Sequence, residues 1–162
     1  MPTEVSSQIW LGPIPQTALA SLPGETAGHE RGCCFMSSWA SGVGAITLFV
    51  EDLPASKRFY LDVFELPIEY EDPDSVVFKI GSTLVNLLSV KEAPELVEPA
   101  GVGGPASGAR FVLTINVDDV DAVSAAVVAR GATLLNGPTD RPWGIRTASF
   151  QDPAGHIWEI AR

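Results

Sequence analysis

An internal repeat constrains the fold of this chain more than any other feature. Residues 112–122 repeat residues 45–55 with the same order of apolar and polar side chains. The identical pairs are Thr47 and Thr114, Val50 and Val117, Asp52 and Asp119, and Ala55 and Ala122. The last strands of the two copies also align, which pairs Asn86 with Glu159. The repeat predicts two copies of one supersecondary unit that bury a common core.

Each copy has the pattern of a strand, a helix and three further strands. Residues 45–50 alternate, so that Ile46, Leu48 and Val50 share one face of a half-buried strand. Helices are predicted over 52–66 and 119–130, with Asp52 and Asp119 as N-terminal caps. Further strands are predicted at 76–80, 83–88, 111–117, 133–135, 146–150 and 156–161, the last two joined by a tight turn at 152–155. The predicted fold class is α+β, built from tandem βαβββ modules.

The domain organisation follows from where this pattern is present. Residues 1–42 are rich in Ser, Pro, Gly and Ala and have no periodicity, so an irregular N-terminal extension is predicted there. Residues 43–90 form the first module, 91–109 a linker and 110–162 the second module. We expect that the extension can be removed with little loss of stability.

Charge and composition limit the partners. The chain has 10 Lys and Arg against 20 Asp and Glu, for a net charge of −10. Such a field repels nucleic acid and anionic lipid, and favours a cationic or neutral small molecule. No apolar run is long enough to span a membrane, and the two cysteines are adjacent, Cys33 and Cys34, which excludes a disulfide framework. These features predict a cytoplasmic protein that binds neither nucleic acid nor membrane.

Two motifs resemble the vicinal oxygen chelate superfamily, which includes glyoxalase I, extradiol dioxygenases, fosfomycin-modifying enzymes and bleomycin-resistance proteins. They are Phe-Val-Glu-Asp-Leu-Pro-Ala-Ser-Lys-Arg-Phe-Tyr at 49–60 and Asp-Pro-Ala-Gly-His-Ile-Trp-Glu at 152–159, each inside a βαβββ module. The resemblance covers about residues 44–161. It implies a curled mixed sheet around a cleft, completed in a homodimer.

The resemblance also locates the positions of a metal site. In the metal-using members, the first strand of each module donates a histidine and the last strand a carboxylate. The corresponding residues here are Ala45, Asn86, Val112 and Glu159, of which Glu159 alone keeps the expected ligand type. We therefore predict that the protein uses no metal and no cofactor.

The candidate ligand-binding residues come from strand parity and from one loop. Parity places Phe49, Asn86, Leu88, Thr114 and Asn116 on the cleft side, a neutral lining suited to an organic molecule. Residues 137–146 resemble the loop of bleomycin-resistance proteins that has Trp-Gly followed by Arg. Trp143, Arg146 and Glu159 are the remaining candidate ligand contacts, and each also has a structural alternative. Trp143 could pack beneath its loop, Arg146 could pair with an acid, and Glu159 could close its module by a hydrogen bond or an ion pair.

Histidine gives little support for catalysis in this sequence. His156 follows the terminal turn and is expected to be a surface residue rather than a general base, while His29 falls in the extension. The favoured hypothesis is a metal-independent protein of the bleomycin-resistance type that binds or sequesters a small molecule. One alternative is a lyase, isomerase or dioxygenase with atypical ligands around Glu159. Another is a ligand carrier or sensor.

Overall fold

Each half of the described chain forms a strand, a helix and three further strands. A computed structural model describes residues 42–162, so the predicted extension and His29 lie outside the described residues. The first half consists of β1 (Ala45–Val50), α1 (Leu53–Phe64), β2 (Ile68–Glu71), β3 (Ser75–Ile80) and β4 (Thr83–Ser89). The linker contains a short helix, α2 (Pro94–Val97), and a 3-10 turn (Pro105–Ser107). The second half consists of β5 (Leu113–Asn116), α3 (Val120–Ala129), β6 (Leu134–Asp140), β7 (Arg146–Gln151) and β8 (Ile157–Ala161).

The strands form two four-stranded mixed sheets with the same topology. The first, sheet A, has the order β1-β4-β3-β2, and the second, sheet B, has the order β5-β8-β7-β6. In each sheet the first strand pairs in parallel with the last, and the remaining pairs are antiparallel. This arrangement confirms the predicted α+β fold of tandem βαβββ modules, in the form of two separate sheets.

The helices begin where the sequence predicted. The side chains of Asp52 and Asp119 accept hydrogen bonds from the backbone N–H groups of Ala55 and Ala122, at 2.8 and 3.0 Å. These caps satisfy N–H groups that have no partner within the first helical turn. Each cap lies two or three residues after the first strand of its module ends, so the repeated aspartates mark where the chain turns from sheet into helix.

One hydrophobic core lies between the helices and both sheets. Strand β1 contributes Leu48 and Val50 to this core. The other central strands each contribute the side chains of one face. The core residues of the other strands and the helices include Tyr60, Val63, Phe78, Leu87, Val120, Val127, Phe150, Trp158 and Ile160. We call the opposite side of each sheet its open face. Alternation along a strand then places Phe49, Asn86, Leu88, Thr114 and Asn116 on the open faces.

Tyr60 joins the two modules within this core. Its ring stacks on Phe78 of sheet A, with 5.4 Å between centroids, and meets Trp158 of sheet B edge-on at 6.1 Å. Its hydroxyl donates to Asp152 at 3.0 Å and accepts from Nε1 of Trp158 at 3.1 Å. A buried tyrosine needs such partners, and here both belong to the other module.

The structure differs from the sequence prediction in three places. One is β2 (Ile68–Glu71), a strand that the residue pattern did not predict. Residues 137–140, which were expected to be loop, continue β6, and the loop is reduced to a turn around residues 141–145. The pairing of β6 with β7 shifts at Gly137, which has a φ of +81°. A Cβ there would lie 2.4 Å from the carbonyl oxygen of Thr147, so only glycine fits. The linker helix α2 was also not predicted.

No helix among residues 42–162 is long and apolar enough to cross a membrane.

Candidate functional site

One cavity in the described part of the chain lies between β1, the linker and the turn before β8. We call it the linker cavity. Its volume is about 580 Å³. It is lined by Thr47, Phe49, Glu51, residues 101–105, residues 107–111 and residues 154–157. Both modules and the segment that connects them therefore contribute to one site.

The lining of the linker cavity combines aromatic surface with opposite charges. Phe111 and His156 lie with their ring centroids 6.3 Å apart and their planes tilted by 30°. Phe49 contributes a third ring from β1. Glu51 and Arg110 supply one acid and one base, and a Cβ on Gly104 would lie 3.7 Å from Oε1 of Glu51. The cavity is therefore less neutral than the sequence predicted.

His156 is held by a buried carboxylate. Its Nδ1 lies 3.0 Å from Oδ2 of Asp152, and its side chain is 15% exposed while that of Asp152 is fully buried. Oδ1 of Asp152 also accepts from the backbone N–H groups of Ala154 and His156, at 3.0 and 2.8 Å. The expectation that His156 is a surface turn residue is therefore wrong, because the turn folds its ring back onto Asp152.

The same carboxylate affects Tyr60. Burial, and secondarily the negative charge of Asp152, raise the pKa of the Tyr60 hydroxyl well above its ordinary value. The hydroxyl is thus kept in its neutral, donating form. Because it accepts from Trp158 and donates to Asp152, Tyr60 links the turn at His156 to the shared core.

A smaller cavity of about 300 Å³ opens between the edges of the two sheets, and we call it the edge cavity. Thr114 and Asn116 of β5 line it, as does the core residue Trp158. The remaining lining residues are Ile46, Ile80, Gly81, Thr83, Val85, Leu113 and Ile115. Two of the predicted ligand-binding residues therefore belong to a different cavity from Phe49.

Asn86, Leu88 and Glu159 line neither cavity. Asn86 and Leu88 are only 1% and 2% exposed, and neither polar atom of the Asn86 amide has a hydrogen-bond partner. They are the register partners of Thr47 and Phe49, so they lie directly beside the β1 wall of the linker cavity. Glu159 is half-buried on the open face of sheet B, where its Oε1 accepts from the Thr114 hydroxyl at 3.0 Å.

Arg146 lies on the helix side of sheet B. Its guanidinium donates to Asp121 of α3 at 2.6 and 2.8 Å and to Asp140 of β6 at 2.9 Å. Hydrogen bonds from Arg146 lower the pKa of Asp121, and both acids raise that of Arg146. Of its two open roles, the structure shows the pairing with acids, and we do not include Arg146 in the proposed site.

Trp143 lies in the turn between β6 and β7 and lines neither cavity. Its side chain does not pack beneath the turn, since the residue is 70% exposed. This exposure removes the structural alternative for Trp143. The indole is therefore an accessible aromatic surface apart from both cavities.

The four family metal positions are not filled by a suitable set of donors. Ala45 and Val112 are exposed and have no donor atom, Asn86 offers a buried amide in sheet A, and Glu159 stands in sheet B. Among residues 42–162 no group of three or more His, Cys, Asp or Glu side chains could hold a metal ion. These residues do not fit the metal centre of the metal-using members.

Sequence patterns did not predict most of the residues that line the linker cavity. Strand parity identified Phe49, but Glu51, Arg110 and Phe111 are brought together only by the course of the linker. The one available signal was the spacing of Asp152 and His156, four residues apart across a Pro-Ala-Gly turn. Such a turn can return a histidine to a preceding aspartate.

Several proteins of known structure are similar to this chain. A glyoxalase-related enzyme from Fulvimarina pelagi is 30% identical over 75% of this chain and 88% of its own, with a TM-score of 0.66. TnmS3, an antibiotic binding protein from Streptomyces sp. CB03234, is 26% identical over 75% and 95%, with a TM-score of 0.58. A glyoxalase/bleomycin resistance protein/dioxygenase from Nocardioides is 23% identical over 78% and 85%, with a TM-score of 0.68, which shows the fold alone.

The curated proteins compared with the chain include no match. The family model of the Glyoxalase/Bleomycin resistance protein/Dioxygenase superfamily, in contrast, matches residues 42–160. This range covers the linker and both modules as far as Ile160 in β8, and it agrees with the repeated topology of sheets A and B. The chain therefore belongs to the glyoxalase/bleomycin resistance protein/dioxygenase superfamily.

Proposed function

We propose that this protein binds a small, partly aromatic organic molecule, cationic or neutral, in the linker cavity and without a metal ion. The main support is the cavity itself, whose volume of about 580 Å³ lies inside the common range for small-molecule sites of about 300–1,000 Å³. Phe49 and Phe111 offer flat apolar contact, and Glu51 and Arg110 can orient polar groups. A role in drug sequestration agrees with the likeness to TnmS3, an antibiotic binding protein.

The charge of the chain favours cationic and neutral ligands over anionic ones. The net charge of −10 attracts cations from solution, and Glu51 provides an acid within the cavity. Arg110 offsets part of this field locally. We expect a graded preference, in which anionic compounds bind weakest.

Asn86 is proposed as a second contact for a ligand that passes over β1. Its amide has an unused donor and an unused acceptor, and its register partner Thr47 already lines the cavity. A ligand that reaches this amide would gain two hydrogen bonds that no residue among 42–162 makes. Leu88 would add apolar contact beside Phe49.

Calorimetric titration with cationic, neutral and anionic aromatic compounds tests this function. Phe111→Ala should weaken the best binder about fivefold, because it removes about 1 kcal/mol of ring contact. Val112→Ala is the matched control, since Val112 is equally exposed but does not line the cavity. A preference for anions, or equal affinity in both variants, would reject the linker cavity as the site.

Trp143 offers an independent aromatic contact, and the same titration distinguishes it. If its indole stacks on the ligand, Trp143→Ala should weaken binding by one to two powers of ten, through about 1–3 kcal/mol of stacking and cation–π contact. Because Trp143 is exposed, its replacement by alanine should leave the fold stable. Loss of affinity in Trp143→Ala with none in Phe111→Ala would move the site to the β6–β7 turn.

Metal analysis separates the binding proposal from the enzyme hypothesis. Protein purified without chelators should hold far less than one equivalent of transition metal, and a chelator should not change its melting temperature. Stoichiometric metal that a chelator removes with loss of stability would favour a lyase, isomerase or dioxygenase. A carrier or sensor would instead show partner binding that depends on ligand.

We also propose that the protein is a cytoplasmic homodimer. Support for the dimer comes from exposed apolar side chains on the sheets and their turns, among them Tyr70, Leu135 and Ile145. Sedimentation over a wide concentration range should give a dimer, and a monomer throughout would refute this. Cell fractionation tests the location.

A further inference from the structure

A chain of buried hydrogen bonds determines where the proton of His156 sits. Nε1 of Trp158 can only donate, so the Tyr60 oxygen accepts from it, and the Tyr60 proton is left for Asp152. The Asp152 carboxylate accepts this bond and two more from backbone N–H groups. It is thus surrounded by donors, and Nδ1 of His156 must also donate to it.

This arrangement leaves the other ring nitrogen, Nε2, without a proton. In a neutral imidazole whose Nδ1 has the proton, Nε2 is an acceptor. Within residues 42–162, Nε2 has no hydrogen-bond partner, while the ring lines the linker cavity beside Phe111. The fold therefore holds an oriented acceptor at the wall of a cavity that is otherwise suited to a flat ring.

We propose that Nε2 of His156 accepts a hydrogen bond from a hydroxyl group of an aromatic ligand, so that the ligand class is phenolic. This inference rests on the proposed binding function of the linker cavity. A phenolic hydroxyl fits a neutral acceptor, whereas an ammonium group would pair with Glu51 and a carboxylate has no proton to donate. Asp152 acts through His156, as a positioning residue that fixes the tautomer.

The tautomer can be tested without any ligand. The chain has only two histidines, so His29→Gln assigns the signals of His156. Long-range nitrogen–proton NMR correlation on the neutral ring, identified by following the ring nitrogen shifts over a pH series, should show the proton on Nδ1. A proton on Nε2 would overturn the inference, since the ring could then not accept a hydrogen bond from a ligand.

A matched pair of probes tests the ligand class. β-Naphthol and its methyl ether have the same ring system, but only the naphthol can donate. Wild-type protein should bind the naphthol about three- to tenfold more tightly, the effect of one hydrogen bond. In His156→Phe, which keeps a flat ring beside Phe111, this preference should disappear.

The outcomes separate this inference from the proposed function. Asp152 keeps three donors in His156→Phe, so the variant should fold, and its melting temperature checks this. Equal binding of both probes to wild type, with weaker binding in Phe111→Ala, would overturn the role of His156 but keep the cavity as the site. Binding of neither probe would overturn both. A preference that persists in His156→Phe would assign the acceptor to another residue.

Discussion

The open faces of the two sheets have the same strand topology, but the residues at their centres have different surroundings. On sheet A, the central row across the strands is Thr47, Asn86, Val77 and Tyr70. The equivalent row on sheet B is Thr114, Glu159, Ser149 and Asn136. At the centre, Asn86 is buried with both amide atoms unpaired, whereas Glu159 is half-buried and bonded to Thr114.

The difference shows that the repeat determines position and not role. An internal duplication places Asn86 and Glu159 at the same point of two similar sheets. An unpaired buried amide destabilises a fold and is a common mark of a functional site, whereas a solvated carboxylate with a partner is ordinary surface chemistry. The first module therefore has the stronger case for a ligand contact at this point, although the second keeps the residue type of a metal ligand.

Exchanging the two central residues tests the comparison most severely. Asn86→Glu should lower the free energy of unfolding by about 4 kcal/mol at neutral pH, because it buries a carboxylate with no partner. Burial raises the pKa of such a carboxyl, so the loss should be small in acid and grow as the pH rises. Chemical denaturation over a pH series measures this.

Glu159→Asn is the reciprocal control. It removes one hydrogen bond at a half-buried position and should change stability by less than about 1.5 kcal/mol. Similar losses in both exchange variants would mean that the two faces are equivalent after all.

The next largest effect is expected at the junction, by which we mean Tyr60 with its partners Asp152 and Trp158 in the core between the modules. Tyr60→Phe removes the acceptor of Trp158 and one donor to Asp152, and should lower stability by about 2 kcal/mol at neutral pH. In wild type the unfolded chain releases the phenolic proton near its ordinary pKa of about 10 while the folded chain retains it, so stability should fall as the pH rises above about 10.

Tyr60→Phe should flatten this alkaline decline, as measured by denaturant midpoints across alkaline pH. The chain has one other tyrosine, Tyr70, whose pKa is raised by the neighbouring charge of Asp72, so Tyr70→Phe is the control for its share. A decline that is unchanged in Tyr60→Phe would show that the junction does not retain its proton.

Replacing the unpaired amide of Asn86 by an apolar side chain should stabilise the fold, in contrast to the preceding variants. Asn86→Leu replaces two unsatisfied polar atoms by an apolar side chain of similar size, and should raise stability by about 1 kcal/mol. Asn116→Leu, at an exposed position on sheet B, should leave stability unchanged. Thermal melts of both variants decide this, and a less stable Asn86→Leu would mean that the amide has a partner.

Local patterns were sufficient to predict the architecture. Alternation in β1, the capping aspartates Asp52 and Asp119 and the turn at 152–155 each act over a few residues, so their effect can be read without tertiary contacts. The repeat then showed that the second module has the same order of strands and helix along the chain as the first. Gly137 shows the limit, because the bulge that extends β6 depends on a close approach to Thr147.

The site depended on contacts that sequence patterns do not contain. Strand parity predicted that Phe49 and Asn116 share a cleft, but parity cannot tell that they line different cavities. Arg146 has the parity of the core side and pairs with Asp121 on a helix distant in sequence. The partner of His156 was close in sequence, yet only the folded turn brings its Nδ1 to Asp152.

The smallest predicted effect is a difference in stability between variants of Thr114 and Thr47, the first residues of the two rows. Thr114→Val removes the hydroxyl that donates to Glu159 and should lower stability by about 0.5 kcal/mol, because water can replace a donor at an exposed position. Thr47→Val should not lower it, since the register partner Asn86 accepts no bond from Thr47. High-precision denaturation of the two variants, which make the same chemical change at equivalent backbone positions, measures the difference. A loss in Thr47→Val equal to that in Thr114→Val would mean that the amide of Asn86 is bonded to β1, and the proposed ligand contact in sheet A would then have no unpaired group to use.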